Sequence, residues 1–435
     1  MEINIVGYLL SKYNVIVKEK DNKLLVFNSR SQALCWISSV LYSNILEASA
    51  SEVDRLYKLG IIVDEKVDEF EEVIFEKNAF LFDMNPTQVG FVIAPTLLCN
   101  MNCHYCFENG VDDKSVMSRQ VADEVLEFIK KQLDNNKLIQ SLHIRWFGGE
   151  PCLAIDIIEY ISKELIEYCS KENIIYNSMI VSNGLLLDKK MARRLHSLHI
   201  GRAQITIDGM AECYAETKGV STECFYKVVN NIVEICGLLK IIVRINVTET
   251  NVDEIESLAR FLLIDMKLNG KIWIYFELVR NFSQNDKKNR LTPYLFEKRR
   301  AEIMNRLIND GCIDSVLHDL PRKNLFSCGA MQCKSATIGP DGALYRCDNN
   351  IGKTRYVIGD SRDGFYRNKV DISFLFADYK KECCACNMLP ICGGGCLEER
   401  IIEKSDRACQ TMKQRLITDV NVYLKYYERR KKYGN

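Results

Sequence analysis

The sequence carries no excess of either charge: 58 Lys and Arg stand against 58 Asp and Glu, a formal net charge of zero. A nucleic-acid partner would favour a basic face, so this balance counts against one. No apolar run reaches the ~18 residues that crossing a bilayer requires, so no membrane span is expected. The opening stretch, MEINIVGYLLSKYNVIVKEK, lacks the charged n-region, apolar stretch and small-residue cleavage site of a signal peptide. We therefore expect a cytoplasmic protein. There is also no internal repeat and no low-complexity segment. Length and cysteine, in contrast, are plentiful. At 435 residues the chain exceeds the roughly 250–300 that one hydrophobic core supports, so two or three domains are expected. The 19 cysteines are odd in number and clustered. Without an export signal, such clusters point to metal rather than to disulfides.

The first segment, residues 1–88, holds no metal motif. KLLVFNSR reads as a strand, and SQALCWISSVLYSNIL as a helix with Ser31 as its N-cap. ASEVDRLYKLGIIVDE reads as a second helix, ended by Gly60 and followed by a short strand. This is compatible with a small winged-helix-like domain. The acidic stretch from Asp64 to Glu72 reads as a solvated loop, with a docking surface for a basic peptide as the alternative.

Across residues 89–312 six short apolar runs (GFVIAP, LHIRWFGG, YNSMIVSNG, AQITIDG, IIVRINVT and KIWIYFELV) alternate with amphipathic helical stretches. Strand–helix units in series imply an α/β fold with a parallel sheet and helices outside it. Such sheets carry their chemistry at the C-terminal ends of their strands. FGGE, SNG and IDG sit at strand ends, and so does the first cysteine cluster. From about 313 to 410, within a third segment of 313–435, strand and helix signals weaken while Cys and Gly rise, as in a region folding around metal. The tail from Cys409 reads as a terminal helix with a basic end.

That first cluster, LLCNMNCHYC, places Cys99, Cys103 and Cys106 within eight residues and supplies no fourth thiol nearby. Structural zinc takes four ligands, as does a simple electron-transfer cluster. Three thiolates on a cubane leave one iron free to bind a small molecule; a zinc site completed by a distant His is the alternative. Further on come Cys328, Cys333 and Cys347, then Cys383, Cys386, Cys392 and Cys396, then Cys409. Eight thiols make two four-cysteine sites, and two structural zincs would satisfy the same count. Most of the eight other cysteines (Cys35, Cys152, Cys169, Cys213, Cys224, Cys236, Cys312, Cys384) are expected to be small buried hydrophobes.

CNMNCHYC resembles the CxxxCxxC signature of the radical S-adenosylmethionine (SAM) enzymes. The resemblance implies a partial (β/α)6 TIM-like barrel and a 4Fe–4S cluster whose open iron is chelated by SAM. It implies that Tyr105 approaches the adenine, that Gly148 and Gly149 admit the ligand, and that Glu150 meets its ammonium. Asn183, Thr206 and Asp208 match the ribose-side motifs, and Arg244 is a candidate for the SAM carboxylate or else a structural ion pair. The later cysteines resemble the SPASM domain, which carries two auxiliary 4Fe–4S clusters. By that resemblance Cys328, Cys333, Cys347 and Cys396 hold one, and Cys383, Cys386, Cys392 and Cys409 the other. Only part of the family has a cysteine at the position of Cys333; without it the first auxiliary cluster would keep an open iron.

SPASM enzymes mostly act on peptides or proteins. The N-terminal segment is similar in predicted architecture to the leader-recognition domain of maturases of ribosomally made peptides, which could bind a leader by strand addition. The implied reaction is hydrogen abstraction from a precursor peptide, followed by a thioether or carbon–carbon crosslink. A flavodoxin or ferredoxin would serve as reductant. The alternative is an anaerobic sulfatase maturase, which oxidises Cys or Ser to formylglycine. Asp348, directly after Cys347, would then be a catalytic base, unless it is only a solvated turn residue. Against this alternative, DGMAECYAETKG lacks the His-Asp pair and the Arg that those maturases show after the DG turn. A third class, an electron carrier or iron–sulfur sensor, would need none of the strand-end motifs.

Overall fold

The structure, a computed structural model, describes residues 7–81, 87–108, 111, 115–279, 291–316, 320–325, 328–404 and 407–433. The chain divides into two compact units, one of residues 84–316 and 332–375, the other of residues 1–83, 317–331 and 376–435.

The N-terminal part of the second-named unit opens with β1 (Tyr8–Leu10), followed by an antiparallel sheet of β2 (Asn14–Lys20), β3 (Lys23–Asn28) and β4 (Leu34–Ser38) in that order. α1 (Ser39–Ser43) and α2 (Ala50–Lys58) follow, then β5 (Ile62–Asp64), which pairs with β1, and α3 (Glu69–Leu81). Alternation decides the sheet: Leu24, Val26 and Ile37 face one side with Leu41, Val53 and Leu56, whereas Val15, Leu25 and Phe27 face the other. Two expectations are corrected here. SQALCWISSVLYSNIL is not one helix, because Leu34 to Ile37 pair with β3 and only Ser39–Ser43 coil. Ser31 caps no helix; its hydroxyl donates to Leu59 O, while the Asn28 side chain accepts from the amides of Arg30 and Ser31 and shapes the turn. The N-cap is Ser49, in a capping box with Glu52. The acidic stretch is not a loop throughout. Glu69 starts α3, is 5% exposed, and accepts from the Ser11 hydroxyl and the Lys12 amide.

In the other unit six strands run parallel in sequence order: β6 (Gln88–Ile93), β7 (Ser141–Trp146), β8 (Ile175–Ser182), β9 (Ile200–Thr206), β10 (Lys240–Val247) and β11 (Ile272–Leu278). This is the expected α/β fold with a parallel sheet, with helices between the strands. They are α4 (Arg119–Asp134), α5 (Ile155–Lys171), α6 (Lys189–Ser197), α7 (Ala211–Lys218), α8 (Thr222–Ile235) and α9 (Ile255–Arg260), the last extended by a π-turn over Phe261–Asp265. Their inner faces are mostly apolar, as in α8, which buries Phe225, Val228, Val229, Ile232 and Ile235 beside the polar Asn231. α10 (Pro293–Asn309) and α11 (Ile313–Val316) complete the run. The Cys-rich segment adds strands that its composition concealed. β12 (Ala336–Ile338) lies parallel to β6, and β13 (Ala343–Tyr345), β14 (Gly359–Asp360) and β15 (Gly364–Phe365) continue antiparallel from it. α12 (Lys369–Leu375) closes this unit.

The C-terminal part of the first-described unit contains α13 (Leu389–Cys392) and the long α14 (Arg407–Tyr433). Leu416 and Val420 of α14 pack against Val15 and Phe27. Among the described residues, no helix is long and apolar enough to cross a membrane.

Candidate active site at the strand ends

The loop after β6 carries Cys99, Cys103 and Cys106. Its backbone is pinned on two sides. The amides of Asn102 and His104 donate to the carbonyls of Lys218 and Thr217, at 2.9 and 3.3 Å, and the amides of Gly149 and Glu150 donate to those of Thr96 and Leu98, at 3.1 and 2.8 Å. The three thiols lie within electrostatic reach of one another, and burial pushes all three up, Cys106 to about 12. Metal binding to such thiols releases protons. Among the described residues no three metal-ligating side chains close on a single ion. A cubane presents its thiolates with separate iron corners, so they need not meet at one point. Three thiols on one pinned loop therefore fit a cubane's donor set.

The two glycines after β7 face the chain's own backbone. A Cβ on Gly149 would stand 2.2 Å from the Leu98 oxygen, and one on Gly148, whose φ is +113°, 2.4 Å from the Thr96 oxygen. Any side chain there would push the cysteine loop away. Glu150 is 0% exposed. Its carboxylate accepts from the amides of Cys152 (3.1 Å) and Asn183 (2.8 Å) and from the Ser182 hydroxyl (2.9 Å). Burial nonetheless holds its pKa above the usual carboxylate range. Glu150 thus ties the end of β7 to the end of β8. From there the Asn183 amide donates to Asn100 Oδ1 at 2.7 Å and reaches Cys99 Sγ at 3.8 Å, which closes the ring back to the cysteine loop.

On the opposite side of the loop stands a buried charged network. The Tyr105 hydroxyl donates to Asp208 Oδ2. Lys218 Nζ donates to the same hydroxyl (2.6 Å) and pairs with Asp208 (2.7 Å), the two side chains being 3% and 0% exposed. The Asn246 side chain donates to Tyr105 at 3.0 Å, and its amide to Asp208 Oδ1 at 3.1 Å. Burial and the Asp208 charge raise the Tyr105 pKa well above that of a free phenol. For Lys218, burial acts downward but Asp208 outweighs it, so the ammonium persists. Only the phenol end is enclosed; the residue as a whole is half-buried. Thr206 is the last residue of β9 and pairs with Arg244. Arg244 donates from Nε to Asn246 Oδ1 at 2.7 Å and lies over the Tyr275 ring. It makes no carboxylate ion pair within the chain among the contacts described.

Lys218, Asn246 and Asn251 escaped sequence reasoning. Asn251 donates to the carbonyls of Asp208 and Asn246. AECYAETKG has no helical apolar period, so α7 and its terminal Lys218 went unread. A polar Asn at the C-terminal end of an apolar strand was the available signal for Asn246.

Asp348 lies elsewhere in the same unit. One oxygen pairs with Arg145 of β7, and the other accepts from the Thr337 hydroxyl of β12 at 3.0 Å. Of the eight later cysteines, Cys333 and Cys347 belong to this unit, and Cys328 and Cys396 to the other. Cys383, Cys386, Cys392 and Cys409 all belong to that other unit, within electrostatic reach of one another, and burial raises Cys392 to about 11. The Met388 amide donates to Cys386 Sγ at 3.4 Å. Of the remaining cysteines Cys152, Cys169 and Cys312 are buried, four are half-buried and Cys384 is exposed.

Comparison with known proteins bears on this arrangement. Residues 93–262 match the family model described as Radical SAM superfamily. The radical SAM cyclopropyl synthase TigE of Paramaledivibacter caminithermalis is 25% identical over 228 residues, 44% of this chain and 47% of TigE. The chain thus spans about half the length of that relative. A cysteine-type anaerobic sulfatase-maturating enzyme of Clostridium perfringens is 24% identical over 358 residues, 76% of this chain and 91% of that enzyme. Streptococcus suis SuiB, solved bound to its precursor peptide SuiA, superposes with a TM-score of 0.54 at 16% identity over 93% of this chain and all of SuiB.

Proposed function

We propose that the chain, whose residues 93–262 match the Radical SAM superfamily, is a peptide maturase. It would abstract hydrogen from a ribosomally made precursor peptide and install a thioether or carbon–carbon crosslink. One observation carries the reading: three thiols on a single pinned loop, with Glu150, Asn183 and Asp208 from the ends of successive strands, and the loop's own Tyr105, locking that loop in place. Bound SAM on a 4Fe–4S cluster supplies, on one-electron reduction, a 5′-deoxyadenosyl radical. Cys99, Cys103 and Cys106 would hold the cluster. Asn183, Thr206 and Arg244 would grip SAM, and the Tyr105 ring would flank its adenine. The internal bonds of Glu150 orient it, and its carboxylate would meet the SAM ammonium. The domain roles in this reading would be leader recognition over 1–88, barrel chemistry over 89–312 and auxiliary clusters over 313–435, although residues 313–435 divide between the two compact units.

Leader binding is best supported at β4. Its outer edge has no ladder partner among the described residues, and its sequence, LCWIS, is uncharged with Trp36 40% exposed. The other edge, β2, ends in exposed Lys18, Glu19 and Lys20, which discourage pairing. A peptide adding to β4 would gain backbone hydrogen bonds with little charge repulsion.

The sulfatase-maturase reading is favoured by its relative's 91% coverage. Against it, Arg145 and Thr337 hold the Asp348 carboxylate in contacts within the chain. The deciding experiment incubates reduced, iron-loaded protein with SAM and either a precursor peptide or a Cys-containing sulfatase peptide. We expect 5′-deoxyadenosine and a peptide lighter by two hydrogens with the former alone. Formylglycine in the sulfatase peptide would replace this reading with the alternative, and no 5′-deoxyadenosine under any condition would end both.

A further inference from the structure

One buried charge in the barrel unit is not used by the site above. Arg346 directly precedes Cys347, and its side chain is 1% exposed. Nε donates to Asp371, which is fully buried, at 2.5 Å. Nη1 donates to the carbonyls of Gln332 and Ser335, at 2.5 and 2.9 Å, the residues that bracket Cys333. Arg367 joins the same carboxylate at 3.1 Å and donates to the Cys333 carbonyl at 3.2 Å. Two guanidinium groups and one carboxylate therefore fix the backbone around Cys333. Its thiol lies within electrostatic reach of Arg346. Nη2 of Arg346, in contrast, is buried and has no hydrogen-bond partner among the described residues.

The buried guanidinium spends Nη1 on this loop and Nε on Asp371, and leaves the third nitrogen unanswered. An orphaned donor of that kind carries its full desolvation penalty unless something accepts from it. The cysteines beside it are acceptors once they are thiolates on iron, as are the sulfides of a cluster. Hydrogen bonds and positive charge next to cluster sulfur stabilise the reduced, more negative state and raise the reduction potential.

We propose that Arg346 is a positioning residue for an auxiliary iron–sulfur cluster: it sets Cys333 beside Cys347 as ligands of one cluster, and its Nη2 donates to that cluster's sulfur. The proposal rests on the auxiliary-cluster reading given above. It makes Cys333 a cluster ligand in this chain.

The test uses the full chain carrying Cys99→Ala, Cys103→Ala and Cys106→Ala, so that only auxiliary clusters contribute. Iron content and electron paramagnetic resonance during a reductive titration are compared for this parent and for Arg346→Met, Arg346→Lys and Cys333→Ser. Arg346→Met should make one cluster about tenfold harder to reduce at a fixed potential, a negative shift of ~59 mV for a one-electron couple. Arg346→Lys should shift the same signal in the same direction by less, and it decides the matter if the Met variant does not fold. Cys333→Ser should change that signal and no other. Unchanged midpoints and iron in both Arg346 variants would overturn the proposal while leaving the clusters standing. A parent without iron would overturn the auxiliary-cluster reading and this inference with it.

Discussion

Tyr105 and Asp208 stand 103 residues apart in the chain, yet the phenol of one donates directly to the carboxylate of the other, and Lys218 bridges both. This contact holds the cysteine loop to the ends of β9 and β10. Removing one member strands a buried charge. Lys218→Met should therefore destabilise the chain by about 3–5 kcal/mol in urea unfolding, the range for breaking a buried pair. The double variant Lys218→Met, Asp208→Asn should recover part of that loss. A single-variant cost below 1 kcal/mol would mean that the network does not carry the loop.

The three cysteines of the loop should be separable from the other eight. Replacing Cys99, Cys103 and Cys106 with Ala should remove about four irons of roughly twelve and abolish cleavage of SAM to 5′-deoxyadenosine. About eight irons should stay. A parent holding four irons and two zincs would mean that the later cysteines serve structure alone.

Gly149→Ala puts a methyl group into space held by the Leu98 carbonyl. Backbone gives less readily than a side chain, so a cost of about 1–3 kcal/mol is expected, as for overpacking. The cysteine loop should shift with it, and iron loading of the first cluster should fall more than that of the others. Equal loading across all clusters would argue against a local displacement.

Glu150 gives a pH dependence with a defined sign. Its folded-state pKa is raised above the ordinary carboxylate value by burial. Between the two values the folded chain binds more protons than the unfolded one, so unfolding free energy declines as pH rises through that window and is level above it. Glu150→Gln should flatten this stretch in denaturant titrations of the iron-free chain across mildly acidic pH. An unaltered slope would assign it to other groups.

Much of this was legible from residue patterns. The six parallel strands stand where short apolar runs met Gly or polar residues, because each strand buries alternate apolar residues in the core and needs a turn at its C-terminal end. Five of the helices were equally plain from their apolar stripes. Pairing between distant segments was not readable. Leu34 to Ser38 became a strand because β3 lies beside it, and β12 joined β6 across more than 240 residues of chain. The site divided in the same way. Cysteine spacing exposed the loop, whereas Lys218 and Arg145 became visible only once folding brought their carboxylate partners near.

The packing of α14 on the N-terminal sheet has a consequence for biosynthesis. Phe27 and Leu416 share one apolar cluster but leave the ribosome 389 residues apart. At about 5–20 residues per second, the sheet waits some 20–80 s for the helix that covers it. The barrel strands are complete well before then. The nascent chain should therefore fold from the middle outward, with Val15, Leu25 and Phe27 open to chaperones until the last helix emerges.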